Sequence, residues 1–162
     1  MSAATLVAMS TDVIRLFTER QLKVATAESC TGGLIAAMLT EVPGSSVVVD
    51  RGFVTYSNEA KTEMLGVPAD LIARVGAVSQ EVAVAMVEGA IANSRADLAV
   101  AVTGIAGPDG GSAAKPVGLV HFAAMRRGGA PVHRERRFGD IGRSEVRLAT
   151  VGEALDLLTS LV

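Results

Sequence analysis

The stretch that decides the fold is T-A-E-S-C-T-G-G, residues 26–33, which follows a short apolar run and precedes an apolar helical pattern. A strand that turns into a helix through small residues aims backbone N–H groups at a ligand. Residues 28–31 also present, in a row, a carboxylate, a hydroxyl, a thiol and a second hydroxyl. Turns of this kind often hold a phosphate, a nucleophile or both. We therefore expect the functional site to be built on residues 26–33.

Helical and extended patterns alternate along the rest of the chain. Helices are expected over residues 4–20, 33–41, 58–66, 68–72, 82–93 and 146–161, with Asn58 and Ser79 as N-caps. Strands are expected over residues 22–27, 47–57, 98–102 and 117–125, and the last of these turns at Gly128-Gly129 into a hairpin with 132–138. This order predicts one α/β domain spanning residues 1–162. It has three α/β/α layers, a mixed and mostly parallel sheet, and a C-terminal hairpin.

Three of the expected strands end in segments suited to a site. Residues 29–33 and 103–111 are glycine-rich, and a third strand ends at Tyr56-Ser57-Asn58. Ligands of open α/β sheets bind beyond the carboxyl ends of the strands. We expect the site where these three ends meet.

Composition excludes several classes of function. The net charge of −2 and the lack of a basic stripe argue against a nucleic-acid partner. A single cysteine excludes an internal disulfide framework and a multi-thiolate metal site, and it is typical of the reducing cytoplasm. No apolar run or N-terminal pattern indicates a membrane segment or a signal peptide. High apolar content with few aromatic residues favours a homo-oligomer.

The residues that could perform chemistry point to a hydrolase without histidine. His121 and His133 fall inside predicted strands, away from the strand ends, which disfavours a Ser-His-Asp triad and a histidine metal site. A desolvated, neutral lysine can instead take the proton of a serine. Lys61 is the candidate base, Ser29 the candidate nucleophile, and Tyr56 would orient the lysine or relay its proton.

Each of these residues also has a purely structural interpretation. Ser29 would cap the next helix, and Lys61 would be a solvated surface lysine. Cys30 would be either the nucleophile of a cysteine hydrolase or a small buried apolar side chain. Glu28 would be a buried partner for a lysine or a helix cap. The glycines would be required only for positive φ.

Five segments in the same order resemble the CinA C-terminal domain family. They are T-A-E-S-C-T-G-G (26–33), G-F-V-T-Y-S-N-E-A-K (52–61), G-A-V-S (76–79), T-G-I-A-G-P-D-G-G (103–111) and K-P-V-G (115–118). The resemblance covers essentially the whole chain. Larger CinA proteins carry a further N-terminal domain, and the chain's start suggests the stand-alone form.

The resemblance implies hydrolysis of the carboxamide of nicotinamide mononucleotide in pyridine-nucleotide recycling, by a Ser/Lys mechanism without a metal; we expect no cofactor. It places the family's nucleophile on Ser29, its lysine on Lys61 and its helper tyrosine on Tyr56. Looser expectations for substrate binding fall on Thr31, Gly32, Gly33, Ser46, Arg51, Gly104, Ile105, Ala106, Gly107 and Arg143. The alternative is a nucleotide-binding or competence/damage-associated regulatory module without catalysis, in which the glycine turns hold phosphate only.

Overall fold

A computed structural model describes residues 1–162, which form one mixed five-stranded sheet with helices on both faces. The helices are α1 (Ala3–Arg20), α2 (Leu34–Thr40), α3 (Asn58–Leu65), α4 (Ala69–Val75), α5 (Gln80–Ala92) and α6 (Arg143–Thr159). The strands are β1 (Val24–Glu28), β2 (Val49–Val54), β3 (Leu98–Gly104), β4 (Leu119–Arg126) and β5 (Val132–Arg137). A short 3₁₀ turn, Ser45–Val47, precedes β2.

The strand order across the sheet is β2-β1-β3-β4-β5. Strands β2, β1 and β3 are parallel, whereas β4 runs antiparallel to β3 and forms the predicted hairpin with β5. Every residue of β1 is buried, as is almost all of β3, because helices cover both faces of these central strands. The predicted three-layer α/β class and the C-terminal hairpin are confirmed.

Two apolar cores lie on opposite faces of the sheet. One packs α1, α2 and α6 against the sheet through residues such as Phe17, Leu39 and Leu155. The other packs α3, α4 and α5 against the opposite face through residues such as Leu65 and Met86. Because α3 and α6 lie in different layers, their side chains reach the carboxyl ends of the parallel strands from opposite faces of the sheet.

Among the caps and boundaries that differ from expectation, two lie at the start of α3 and in β2. Ser57, not Asn58, caps α3: its backbone is extended and its Oγ accepts the Ala60 N–H at 3.0 Å. Serine and asparagine are both good N-caps, so the sequence pattern could not decide which of these two adjacent residues caps the helix. The expected strand over 47–57 is shorter, because the chain forms a 3₁₀ turn before Val49 and leaves the sheet after Val54.

The parallel register fixes where the site lies. Glu28 pairs with Val54 on one side and with Val102 on the other, so β2, β1 and β3 end at the same sheet edge. The three segments that follow them therefore meet: Ser29–Gly33, Thr55–Ser57 and the glycine-rich loop after Gly104.

Candidate active site

The turn after β1 is held by the buried carboxylate of Glu28. That carboxylate accepts the Thr31 hydroxyl at 2.6 Å and the backbone N–H groups of Ile35 and Ala36 at 2.8 and 3.0 Å. Gly32 and Gly33 have φ of 60° and 103°, which glycine adopts without strain. Glu28 therefore caps α2, as one of the two sequence interpretations had it, and it occupies the amides at that helix N-terminus.

Ser29 follows directly, where the backbone leaves the sheet. Its N–H donates to the carbonyl of Val102 in β3 at 3.1 Å, which fixes the residue to the neighbouring strand. Its side-chain oxygen lies 3.0 Å from Nζ of Lys61. The turn thus presents one hydroxyl to one amine at the sheet edge.

Lys61 reaches this point from the first turns of α3 and is 1% exposed. Besides Ser29, its Nζ lies 2.8, 3.2 and 3.4 Å from the carbonyls of Thr55, Tyr56 and Ser57. None of these partners is a carboxylate. With these neighbours Nζ can donate to the Ser29 oxygen and the carbonyls; in the neutral form its lone pair would be free to accept the Ser29 hydroxyl proton.

The electrostatics of the cage favour the neutral amine. Burial lowers the pKa of Lys61 below its ordinary value, and a charged Cys30 thiolate would act in the opposite direction. Burial also raises the pKa of Cys30 to about 12, so this thiol is uncharged at neutral pH and its opposing effect is absent there. A lysine whose pKa is lowered in this way is suited to act as a general base.

A cavity of about 260 Å³ opens beside this pair. Its walls are Ser29, Cys30, Tyr56, the segment 77–78, residues 103–107, Asp109, Gly110 and Arg143. The N–H groups of Cys30, Ala106 and Gly107 donate to no other atom of the chain and remain available along these walls. Arg143, the first residue of α6, closes one side by donating to the Gly107 carbonyl at 2.7 Å.

A serine hydroxyl, a buried amine and free backbone donors thus surround one cavity, and comparison with known proteins identifies the domain. A family model for the CinA C-terminal domain matches residues 6–162. The chain belongs to the CinA C-terminal domain family.

Relatives of similar length carry an enzyme name. The chain is 58% identical over 139 residues to nicotinamide-nucleotide amidohydrolase PncC of Pseudomonas putida, with 86% of each chain covered. It is 48% identical to the protein of that name from Escherichia coli K12, with 98% of this chain and 95% of the relative covered. A crystal structure of the competence/damage inducible protein CihA from Agrobacterium tumefaciens matches with a TM-score of 0.95 and 58% identity, over 96% of this chain and 94% of that one.

Other curated relatives of this CinA domain are much longer. The chain spans between 28% and 36% of the length of four of them, which are named as CinA-like or putative competence-damage inducible proteins. Within those proteins, the domain described here is one part of a larger chain.

Tyr56 takes part in the site differently from the expectation. Its backbone carbonyl contacts Lys61, but its phenol is 58% exposed and accepts a hydrogen bond from Arg143 Nη2 at 2.9 Å. The phenol makes no hydrogen bond to Lys61. The tyrosine side chain therefore belongs to the cavity rim, and the backbone rather than the phenol orients the lysine.

Ser46 and Arg51, expected at the substrate, do not line this cavity, and their part in substrate binding stays a prediction. Ser46 lies in the 3₁₀ turn before β2, at the opposite edge of the sheet from Ser29. Arg51 lies within β2, where its side chain binds Asp50 and the carbonyl of Asn93 at the C-terminal end of α5. The parallel register separates both from the strand ends that form the cavity.

The other expected substrate contacts divide into two groups. Gly104, Ile105, Ala106, Gly107 and Arg143 line the cavity. Thr31, Gly32 and Gly33 do not: Thr31 is fully buried with its hydroxyl on Glu28, and the two glycines shape the turn behind Ser29. These three residues support the nucleophile and do not reach the cavity.

Two contributors were missed or left open by the sequence patterns. Glu28 was undecided between two roles, and Arg147 was not singled out. Arg147 lies four positions after Arg143 on α6, so both side chains project from one helix face. That spacing was the available signal.

The histidines pair with each other in the β4–β5 hairpin. His121 Nδ1 lies 2.9 Å from His133 Nε2, and neither lines the cavity. Nowhere in residues 1–162 do three His, Cys, Asp or Glu side chains come together in a way that could hold a metal ion. None of the six helices is long and apolar enough to cross a membrane.

Proposed function

We propose that this CinA domain hydrolyses the carboxamide of nicotinamide mononucleotide to nicotinic acid mononucleotide and ammonia. The observation that carries the proposal is the 3.0 Å approach of Ser29 Oγ to the buried Nζ of Lys61 beside an open cavity. The enzyme name borne by two relatives that align over most of their length supports the choice of substrate. The place of the reaction in pyridine-nucleotide recycling is part of the same proposal.

The first half-reaction forms an ester on Ser29. Neutral Lys61 takes the hydroxyl proton as Ser29 Oγ attacks the amide carbon, and the carbonyl oxygen becomes an oxyanion. The Cys30 N–H, next to the nucleophile and without another acceptor, is suited to bind that oxyanion. Protonated Lys61 then gives its proton to the leaving nitrogen as the C–N bond breaks, and ammonia departs.

The second half-reaction regenerates the enzyme. Lys61 takes a proton from water, the resulting hydroxide attacks the ester carbon, and the Ser29 oxygen leaves with the lysine proton. The product is a carboxylate. The cationic pyridinium ring of the substrate withdraws electrons from the carbonyl carbon and favours both attacks.

The substrate phosphate needs donors away from α2. Glu28 already occupies the Ile35 and Ala36 amides there. Helix α6 begins at Arg143, beside the cavity, and its N-terminus has no side-chain cap. The free amides of Ala106 and Gly107 also border the cavity. We place the phosphate on this side, where a guanidinium and backbone N–H groups converge.

Ammonia release from nicotinamide mononucleotide tests the proposal directly. Wild type is expected to turn over, whereas Ser29→Ala and Lys61→Ala lose at least about 10³-fold in kcat. Lys23→Ala is the matched control, because Lys23 is exposed at the opposite sheet edge and should behave as wild type. Nucleotide binding by wild type without ammonia release would favour the alternative of a non-catalytic binding module.

A further inference from the structure

Arg147 is the one cation near the nucleophile that the proposed mechanism does not use. It lies one helical turn after Arg143 on α6 and is half-buried. The Arg143 side chain lies at the cavity rim. The Arg147 side chain contacts the backbone of the turn after Ser29 on the side away from the cavity, and it does not line the cavity. Its role must therefore act through the backbone of that turn.

The guanidinium of Arg147 binds two successive carbonyls. Nε donates to the Cys30 carbonyl at 3.2 Å and Nη2 donates to the Thr31 carbonyl at 2.9 Å. The Cys30 carbonyl accepts no backbone N–H, so Arg147 is its partner within the chain. A planar fork of donors suits this two-point contact, which a lysine cannot reproduce.

These contacts are transmitted to Ser29 through one peptide group. The Thr31 carbonyl and the Gly32 N–H belong to the same planar peptide and point in opposite directions. Arg147 binds that carbonyl, and the Gly32 N–H donates to the Ser29 carbonyl at 3.0 Å. Fixing the orientation of this peptide therefore fixes the backbone of Ser29.

The Thr31 carbonyl also accepts the Leu34 N–H at 3.1 Å, whereas Arg147 is the one donor to the Cys30 carbonyl. The other side-chain support of the turn acts on different groups. Glu28 accepts from the Thr31 hydroxyl and from amides of α2, which leaves the Cys30 carbonyl unheld. Gly32 and Gly33 also have no side chains to limit rotation of the backbone. A guanidinium on the carbonyls and a carboxylate on the amides and hydroxyl hold the turn from two sides.

We propose that Arg147 is a positioning residue that keeps Ser29 Oγ aligned with Lys61 Nζ. The inference rests on the proposed role of Ser29 as nucleophile. Misplacement of a reacting atom by about 1 Å costs roughly 10²-fold in rate. Arg147→Met is therefore expected to lower kcat about 10–100-fold. Its KM should stay near the wild-type value, because the cavity walls keep their side chains.

Two variants separate positioning from general stability. Arg147→Lys keeps the charge but reaches one carbonyl, so its kcat should lie between those of wild type and Arg147→Met. Added methylguanidinium should restore part of kcat to Arg147→Ala, which a purely structural loss would not allow. Arg15→Met is the matched control, since Arg15 is exposed on α1 and pairs only with Asp12 and Glu19.

A readout that needs no amide substrate keeps this inference separate from the proposed function. The rate at which a fluorophosphonate probe modifies Ser29 is measured for wild type, Arg147→Met and Ser29→Ala. Slower labelling of Arg147→Met, by about tenfold or more, supports the inference even if wild type releases no ammonia from the nucleotide. Wild-type labelling of Arg147→Met overturns it, as does a loss of kcat that neither Arg147→Lys nor methylguanidinium recovers.

Discussion

Arg143 donates a hydrogen bond to the phenol of Tyr56 at 2.9 Å, across 87 positions of sequence. The same tyrosine gives its backbone carbonyl to Lys61 at 3.2 Å. One residue thus links the amine of the candidate dyad to the arginine at the cavity rim, but through different groups. Its side chain lies at the cavity rim, and its backbone contacts the buried amine.

Tyr56→Phe should therefore separate the two contributions. The variant keeps the carbonyl that holds Lys61 and loses the phenol oxygen that holds Arg143. We expect kcat within about threefold of wild type and KM raised roughly fivefold, as for loss of one exposed, charge-assisted hydrogen bond of about 1 kcal/mol. Steady-state ammonia release measures both constants. A fall in kcat of about a hundredfold at unchanged KM would instead establish the phenol as a proton relay.

Cys30→Ala should keep activity. The thiol is buried, and its pKa of about 12 leaves almost no thiolate at neutral pH. We expect kcat within about threefold of wild type, because the N–H of residue 30 is retained and only a small side chain is removed. Ammonia release by Cys30→Ala is compared with that of Ser29→Ala. An inactive Cys30→Ala beside an active Ser29→Ala would identify a cysteine hydrolase.

Local signals in the sequence were sufficient for most of the fold. Ser79 caps α5 and Gly66 ends α3 with a φ of 70°, both as predicted, because caps depend on residues a few positions apart. The apolar run 98–102 predicted the central strand, because an uninterrupted apolar segment is also a local signal. Ser29 and Lys61 were expected to meet because each follows the carboxyl end of a strand, β1 and β2, which are parallel neighbours in the sheet.

What the sequence could not supply depends on contacts between distant segments. Arg147 meets the Ser29 turn across 116 and 117 positions; its spacing from Arg143 indicates a shared helix face but not which distant segment that face contacts. Ser46 and Arg51 adjoin the second motif in sequence, but β2 runs from them toward Val54, so both precede the strand end that borders the cavity. The phenol of Tyr56 contacts Arg143 while its backbone carbonyl contacts Lys61, and no sequence pattern indicates this division.

The pH dependence should identify Lys61 as a base. Burial lowers the pKa of Lys61, and catalysis needs the neutral amine. Therefore kcat/KM should rise with pH, with a midpoint below the ordinary lysine value of about 10.4. Measurements from about pH 7 upward avoid the second ionisation of the substrate phosphate near 6. Activity that falls as pH rises over this range would contradict a lysine base.

The stability of the nucleophile turn should depend on Glu28. This carboxyl group is 1% exposed and accepts hydrogen bonds from Thr31, Ile35 and Ala36, so it is both buried and the cap of α2. Glu28→Gln places an NH₂ group against N–H donors. The expected loss in free energy of unfolding is about 2–4 kcal/mol.

Urea unfolding of Glu28→Gln is best compared with Glu41→Gln. Glu41 lies at the opposite end of the same helix and is exposed, so its change should stay within about 0.5 kcal/mol. Equal effects of the two substitutions would mean that the carboxylate of Glu28 does not hold the turn. A larger loss in free energy of unfolding for Glu28→Gln, together with slower labelling of Ser29 by the fluorophosphonate, would show that this cap helps to align the Ser29 side chain.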